Sequence, residues 1–170
     1  MKGIIFTAFI LFWAIWLEVS LAVSGFIVPL LFIEMFYITV LNKWRYALLT
    51  ALVVCNIVDS LLGYTSLPAV GFVIIVASFW RNIGDCSKVE LQFIPISLTV
   101  FFAMLINSSI IAFKYDAVVP LTNWLYHLVG SVLLTILLTP LVIRSQDWLA
   151  GKLKMVNYQD IQREEMYSAN

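Results

Sequence analysis

The sequence predicts an all-α fold, a polytopic membrane bundle of six transmembrane helices. Three observations predict it. The chain has 170 residues, 62% hydrophobic and 12% charged, whereas soluble domains are about half apolar and about a quarter charged. Its mean hydropathy is +0.98. Its apolar residues fall into six runs at about 4–23, 26–42, 46–62, 67–80, 91–113 and 118–143, each long enough to cross a bilayer or nearly so.

The first run lies in M-K-G-I-I-F-T-A-F-I-L-F-W-A-I-W. Lys2 resembles the charged start of a signal peptide, and Ala22-Val23-Ser24 offers small residues for cleavage. About 20 apolar residues is long for a signal sequence and right for a span, so an uncleaved first helix is expected. The second run carries Pro29 near its start and Glu34 near its middle. The third reads A-L-L-T-A-L-V-V-C-N-I-V-D-S-L-L-G and contains Asp59. Ala51, Cys55, Asp59 and Gly63 recur every four residues there, a narrow stripe of small residues interrupted by an acid. Small residues at that spacing let another helix approach closely, so Asp59 is expected to face a neighbouring helix or a cavity. The fourth run is short and carries Pro68 and Gly71, with Arg81 placed to snorkel at its end. Hydropathy alone defines the fifth. The sixth carries Asn123, His127, Ser131, Thr135 and Thr139 every four residues, and Pro140 beyond them. Each step of four drifts about 40° on an ideal helix, so this polar track winds.

Loop charges orient the bundle. Lys2, Lys43, Arg45, Arg81, Lys88, Arg144, Lys152, Lys154 and Arg163 fall on one side, and Lys114 alone on the other. The positive-inside rule then places both termini in the cytoplasm. Residues 1–145 form the transmembrane domain and 146–170 a short cytoplasmic tail. Trp148, Leu149, Leu153, Met155 and Val156 interrupt the tail's charges. The tail is either a short helix on the inner membrane surface or a frayed end.

Ionisable residues inside spans are costly and are functional candidates by default. Glu18, Glu34, Asp59 and His127 are the four here. The orientation puts Glu18, Asp59 and His127 in the outer half, with Asn123 one turn above His127. They are expected to form either a functional cavity or partner-docking site, or a set of interhelical contacts. The Ser and Thr positions of the sixth run suit interhelical hydrogen bonding. Trp44, Trp80 and Trp124 suit interfacial anchoring.

Other chemistry has no motif. No Gly-rich phosphate loop, paired metal-ligand spacing or nucleophile elbow occurs. One histidine excludes a histidine-built metal cage, and two cysteines, Cys55 and Cys86, form no framework. No basic stripe suggests nucleic-acid binding. A non-enzymatic protein without a cofactor is expected, with membrane lipid as its surroundings.

An ordered set of features resembles the MreD family of rod-shape-determining membrane proteins. These are V-P-L-L-F-I-E-M-F-Y from Val28, the basic turn N-K-W-R, the small-residue helix ending in D-S-L-L-G, and L-L-T-P-L-V-I-R with Pro140. The likeness covers roughly residues 26–80 well and 130–150 moderately. Where the family often has glycines in its third span, this chain has Ala51 and Cys55, and Glu18 and Glu34 match no family motif. The resemblance implies a component of lateral cell-wall synthesis in the bacterial inner membrane. Its implied partners are an MreC-like protein, MreB, RodA and a transpeptidase. It also implies a fold similar to the substrate-binding S-components of energy-coupling-factor vitamin transporters, which makes such a subunit the rival reading. Against that rival, span one reads T-A-F-I-L-F-W-A-I-W, bulky where those subunits carry a flat Ala-x-x-x-Ala patch.

Overall fold

A computed structural model describes residues 2–23, 29–42, 44–62, 66–83, 93–115 and 121–153. Among them are six α-helices and no strand: α1 (Lys2–Val23), α2 (Leu30–Leu41), α3 (Trp44–Leu62), α4 (Leu67–Ile83), α5 (Phe93–Tyr115) and α6 (Leu121–Lys152). Three of them, α1, α3 and α6, contain apolar stretches long enough to cross a membrane. The apolar parts of α2, α4 and α5 are shorter. Ile5, Phe12, Leu49, Val53, Leu133 and Leu137 all stand more than 60% exposed. A surface so apolar suits lipid rather than water, and the chain is a helical membrane protein.

The second helix is the axis of the bundle. It packs against all five others, most closely α4, and every residue from Leu30 to Val40 is buried. This explains a sequence without a polar face: Phe32, Ile33, Phe36 and Tyr37 each meet a neighbour whichever way they point. It also explains the helix's brevity. Twelve residues span only about 18 Å, but backbone ends at membrane depth are tolerated where protein covers them.

Both ends of α2 are tied down. Pro29 occupies the N-cap, and a carboxylate from another helix supplies the cap bond that proline cannot: Leu31 N–H donates to Glu18 Oε2 at 2.9 Å. At the other end Asn42 N–H and Nδ2 donate to Ile38 O at 2.9 and 3.1 Å, and Arg81 Nη1 donates to Asn42 O at 2.8 Å. Arg81 thus binds the end of α2 with a charge-assisted bond, a use that goes beyond snorkelling.

Two boundaries differ from expectation. The second helix begins at Leu30, because Pro29 sets its start, and residues 24–28 lie outside the described set. The sixth helix does not stop near 143. It passes through Pro140 and continues to Lys152, so residues 146–152 extend the same rod. Lys152 Nζ lies 3.8 Å from the Trp148 ring centroid, one turn away. Buried Gln146, Asp147 and Ala150 face the bundle.

Candidate functional site

Among the described residues polar side chains gather at two places inside the bundle. At the Pro29 end, α1, α3 and α5 finish while α2 and α4 begin. At the Asn42 end, the later part of α2 meets the extension of α6.

Asp59 belongs to the Pro29 end. Ser66 directly precedes α4, and its N–H and Oγ donate to Asp59 Oδ1 at 2.7 and 2.8 Å. Ser66 O in turn accepts from Val70 N–H at 3.0 Å, so Ser66 caps α4 and Asp59 clamps the cap. The small-residue stripe supports this corner, since Ala51 and Cys55 are buried against neighbouring helices. Gly63 lies outside the described residues.

Beside this corner is a cavity of about 150 Å³. Glu18, Phe32, Val58, Ser66, Asn107 and Ser108 contribute to its wall. Asn107 is buried, and its Oδ1 has no hydrogen-bond partner. Glu18 joins Ser66 here, and through it Asp59. The sixth helix contributes no described residue to the wall, and among the described residues α3 and α6 share no packed face. Asn123 and His127 lie in the first turns of α6, but their side chains lie outside the described residues.

The second place is built on Glu34. Gln146 Nε2 donates to Glu34 Oε1, and Tyr37 Oη donates to Asp147 Oδ1 at 2.8 Å. All four side chains are buried. Glu34 and Tyr37 are one turn apart on α2, and Gln146 and Asp147 are consecutive on α6, so two bonds form side by side. Glu34 Oε2 and Gln146 Oε1 have no partner.

The remaining polar track serves its own helix. Thr135 Oγ1 donates to Ser131 O and Thr139 Oγ1 to Thr135 O, both at 2.7 Å, and both threonines are fully buried. A hydroxyl satisfied this way can pack in an apolar seam. Pro140 follows in the same rod, as membrane helices permit.

Sequence reasoning did not single out Tyr37, Ser66, Asn107, Ser108, Gln146 or Asp147. The run N-S-S at 107–109 interrupts an apolar segment and was a usable signal. Gln146 and Asp147 were assigned to the tail, where polar residues attract no notice.

Among the described residues no group of three His, Cys, Asp or Glu could hold a metal ion. Fold and site define a helical membrane protein with a capped, buried central helix and two internal polar centres. No family model matches the chain, and neither a curated protein nor a solved structure shows significant similarity to it.

Proposed function

We propose that the chain is a non-enzymatic, six-span component of the bacterial inner membrane that acts in cell elongation and lateral peptidoglycan synthesis, partnering an MreC-like protein. Both termini are cytoplasmic in this reading. The observation that carries it is the ordered resemblance around D-S-L-L-G. Its acid has a defined task in this chain, clamping the α3–α4 corner through Ser66.

A scaffold of this kind needs a place for a partner that crosses the membrane once. An apolar groove of about 780 Å³ runs between α1 and α3, from Ile4 to Ser20 on one wall and from Tyr46 to Leu61 on the other. Ala8 and Thr50 are small residues within it, where a helix backbone could come close. The groove spans most of both helices, as a single transmembrane helix requires. MreB, RodA and a transpeptidase enter as further members of the assembly that the resemblance implies.

The test is co-purification with an MreC-like protein. Ala8→Trp fills the groove and is expected to abolish recovery, whereas Phe79→Trp, on an exposed face of α4, is expected to leave it unchanged. Equal recovery from both variants would assign the groove to lipid. Failure of the unaltered chain to recover the partner would count against the elongation role itself.

The S-component reading is disfavoured by size. Small-molecule pockets commonly measure about 300–1,000 Å³, and the cavity at the Pro29 end is about 150 Å³. Saturable, high-affinity binding of a water-soluble vitamin would reverse this preference.

A further inference from the structure

The cavity at the Pro29 end has a wall chemistry that selects its occupant. Asn107 is 8% exposed, and its Oδ1 lacks a hydrogen-bond partner. Leaving such an acceptor empty in a buried site is costly. Ser66 has already committed its hydroxyl proton to Asp59, so its oxygen has only lone pairs to offer. Glu18 is acceptor-only when ionised and uses Oε2 to cap α2. Glu18, Ser66 and Asn107 therefore present oxygen acceptors from three different parts of the bundle. None of the described lining residues is Lys, Arg or His. The site calls for an occupant that donates hydrogen bonds and carries positive charge.

Two features narrow the choice. Three acceptor groups match the three donors of a primary ammonium. The rest of the wall is largely carbon, including Phe32, Val58 and Met104. A bare alkali ion would want oxygen on that side, whereas an alkyl stem is content with carbon. The volume of about 150 Å³ equals roughly five waters at about 30 Å³ each, room for an ammonium on a stem of two or three heavy atoms.

We propose that this cavity binds a primary ammonium on a short stem, supplied by a free small amine or by the ethanolamine headgroup of a phospholipid. Glu18 pairs with the charge, Asn107 Oδ1 and Ser66 Oγ accept hydrogen bonds from it, and the apolar wall holds the stem. The inference is independent of a role in cell elongation, since it rests on the cavity alone.

The test uses the full chain in detergent and then in nanodiscs. Ethylammonium and ethanolamine are expected to raise its melting temperature saturably, as ligands of the folded state do. Choline, which has no N–H donor, is expected to have no such effect. Glu18→Gln keeps an acceptor for Leu31 N–H and removes the charge, and Asn107→Leu removes the orphan oxygen. Each is expected to weaken binding about tenfold or more, the size of one hydrogen bond to a charged group. Should Asn107→Leu fail to fold, Asn107→Asp is the second variant, expected to bind more tightly. Nanodiscs of phosphatidylcholine with and without phosphatidylethanolamine separate the sources. Stabilisation by the latter that ethanolamine competes away assigns the headgroup, and stabilisation by the free amine alone assigns a soluble ligand. Equal shifts with choline or sodium, or no shift with any amine or lipid, would overturn the proposal.

Discussion

Glu34 and Gln146 make one hydrogen bond with each other and leave one oxygen apiece without a partner. That asymmetry has a consequence for mutation. Removing one member strands the other in the interior, at about 1–3 kcal/mol. Removing both with apolar residues of similar size removes the stranded groups as well. Glu34→Leu and Gln146→Leu are each expected to lower unfolding stability in detergent, while the double variant recovers most of the loss. The coupling from the double-mutant cycle is expected at about 0.5–3 kcal/mol. Additive losses would mean that the two residues act separately. Asp59 differs because it bonds a backbone N–H as well as a hydroxyl. Asp59→Asn keeps an acceptor and is expected to cost less than Asp59→Leu, which leaves the Ser66 N–H unpaired at the head of α4. Thermal melts of the two variants read the difference directly.

At the scale of elements, the extension of α6 is the part that sequence reasoning placed worst, and the reason is physical. Hydropathy marks where a helix leaves lipid, not where it ends. After Ile143 come Arg144, Ser145, Gln146 and Asp147, which read as exit from the membrane. The backbone stays helical regardless, and its inward face still finds α2. A chain ending at Ser145 loses both bonds to α2, whereas one ending at Leu153 keeps them. The shorter chain is expected to melt lower and to be recovered from membranes in lower yield, and the longer one to match the full chain. Equal melting would mean that the Glu34 and Tyr37 contacts contribute nothing to stability. The six helices themselves were legible, because runs of 12–32 residues with Pro and polar turns between them leave little choice. The caps were less so. Glu18 and Asp59 stood out as acids in apolar runs, but their partners, Leu31 N–H and Ser66, could not be read from spacing. A long-range cap depends on how two helix ends meet, and one sequence does not encode that as a period. Asn107 was missed for a plainer reason: an amide draws less notice than an acid among apolar neighbours.

For the whole molecule the open quantity is the number of crossings. Among the described residues three helices are long and apolar enough to cross a membrane by themselves. The loop charges argue for six, with nine Lys and Arg on one side and one on the other. The two counts predict different outcomes, because an odd number of crossings puts the termini on opposite sides and an even number puts them together. The packing is compatible with six. The short helix α2 touches every other helix and is buried from Leu30 to Val40. A helix so enclosed needs no lipid-facing length of its own, and its neighbours carry the apolar surface for it. Glu18 and Arg81 each bond one backbone group at its two ends, which lowers the usual penalty for ending a helix at membrane depth. Reporter fusions at the N-terminus and after Asn170 are both expected to be active in the cytoplasm. A reporter placed after Asp116, between α5 and α6, is expected to be active outside. Termini on opposite sides would reduce the bundle to an odd number of crossings and take the six-span reading with it. An N-terminus found outside would also turn the cavity beside Glu18 toward the inner leaflet, so the N-terminal fusion tells from which face an ammonium ligand must be supplied.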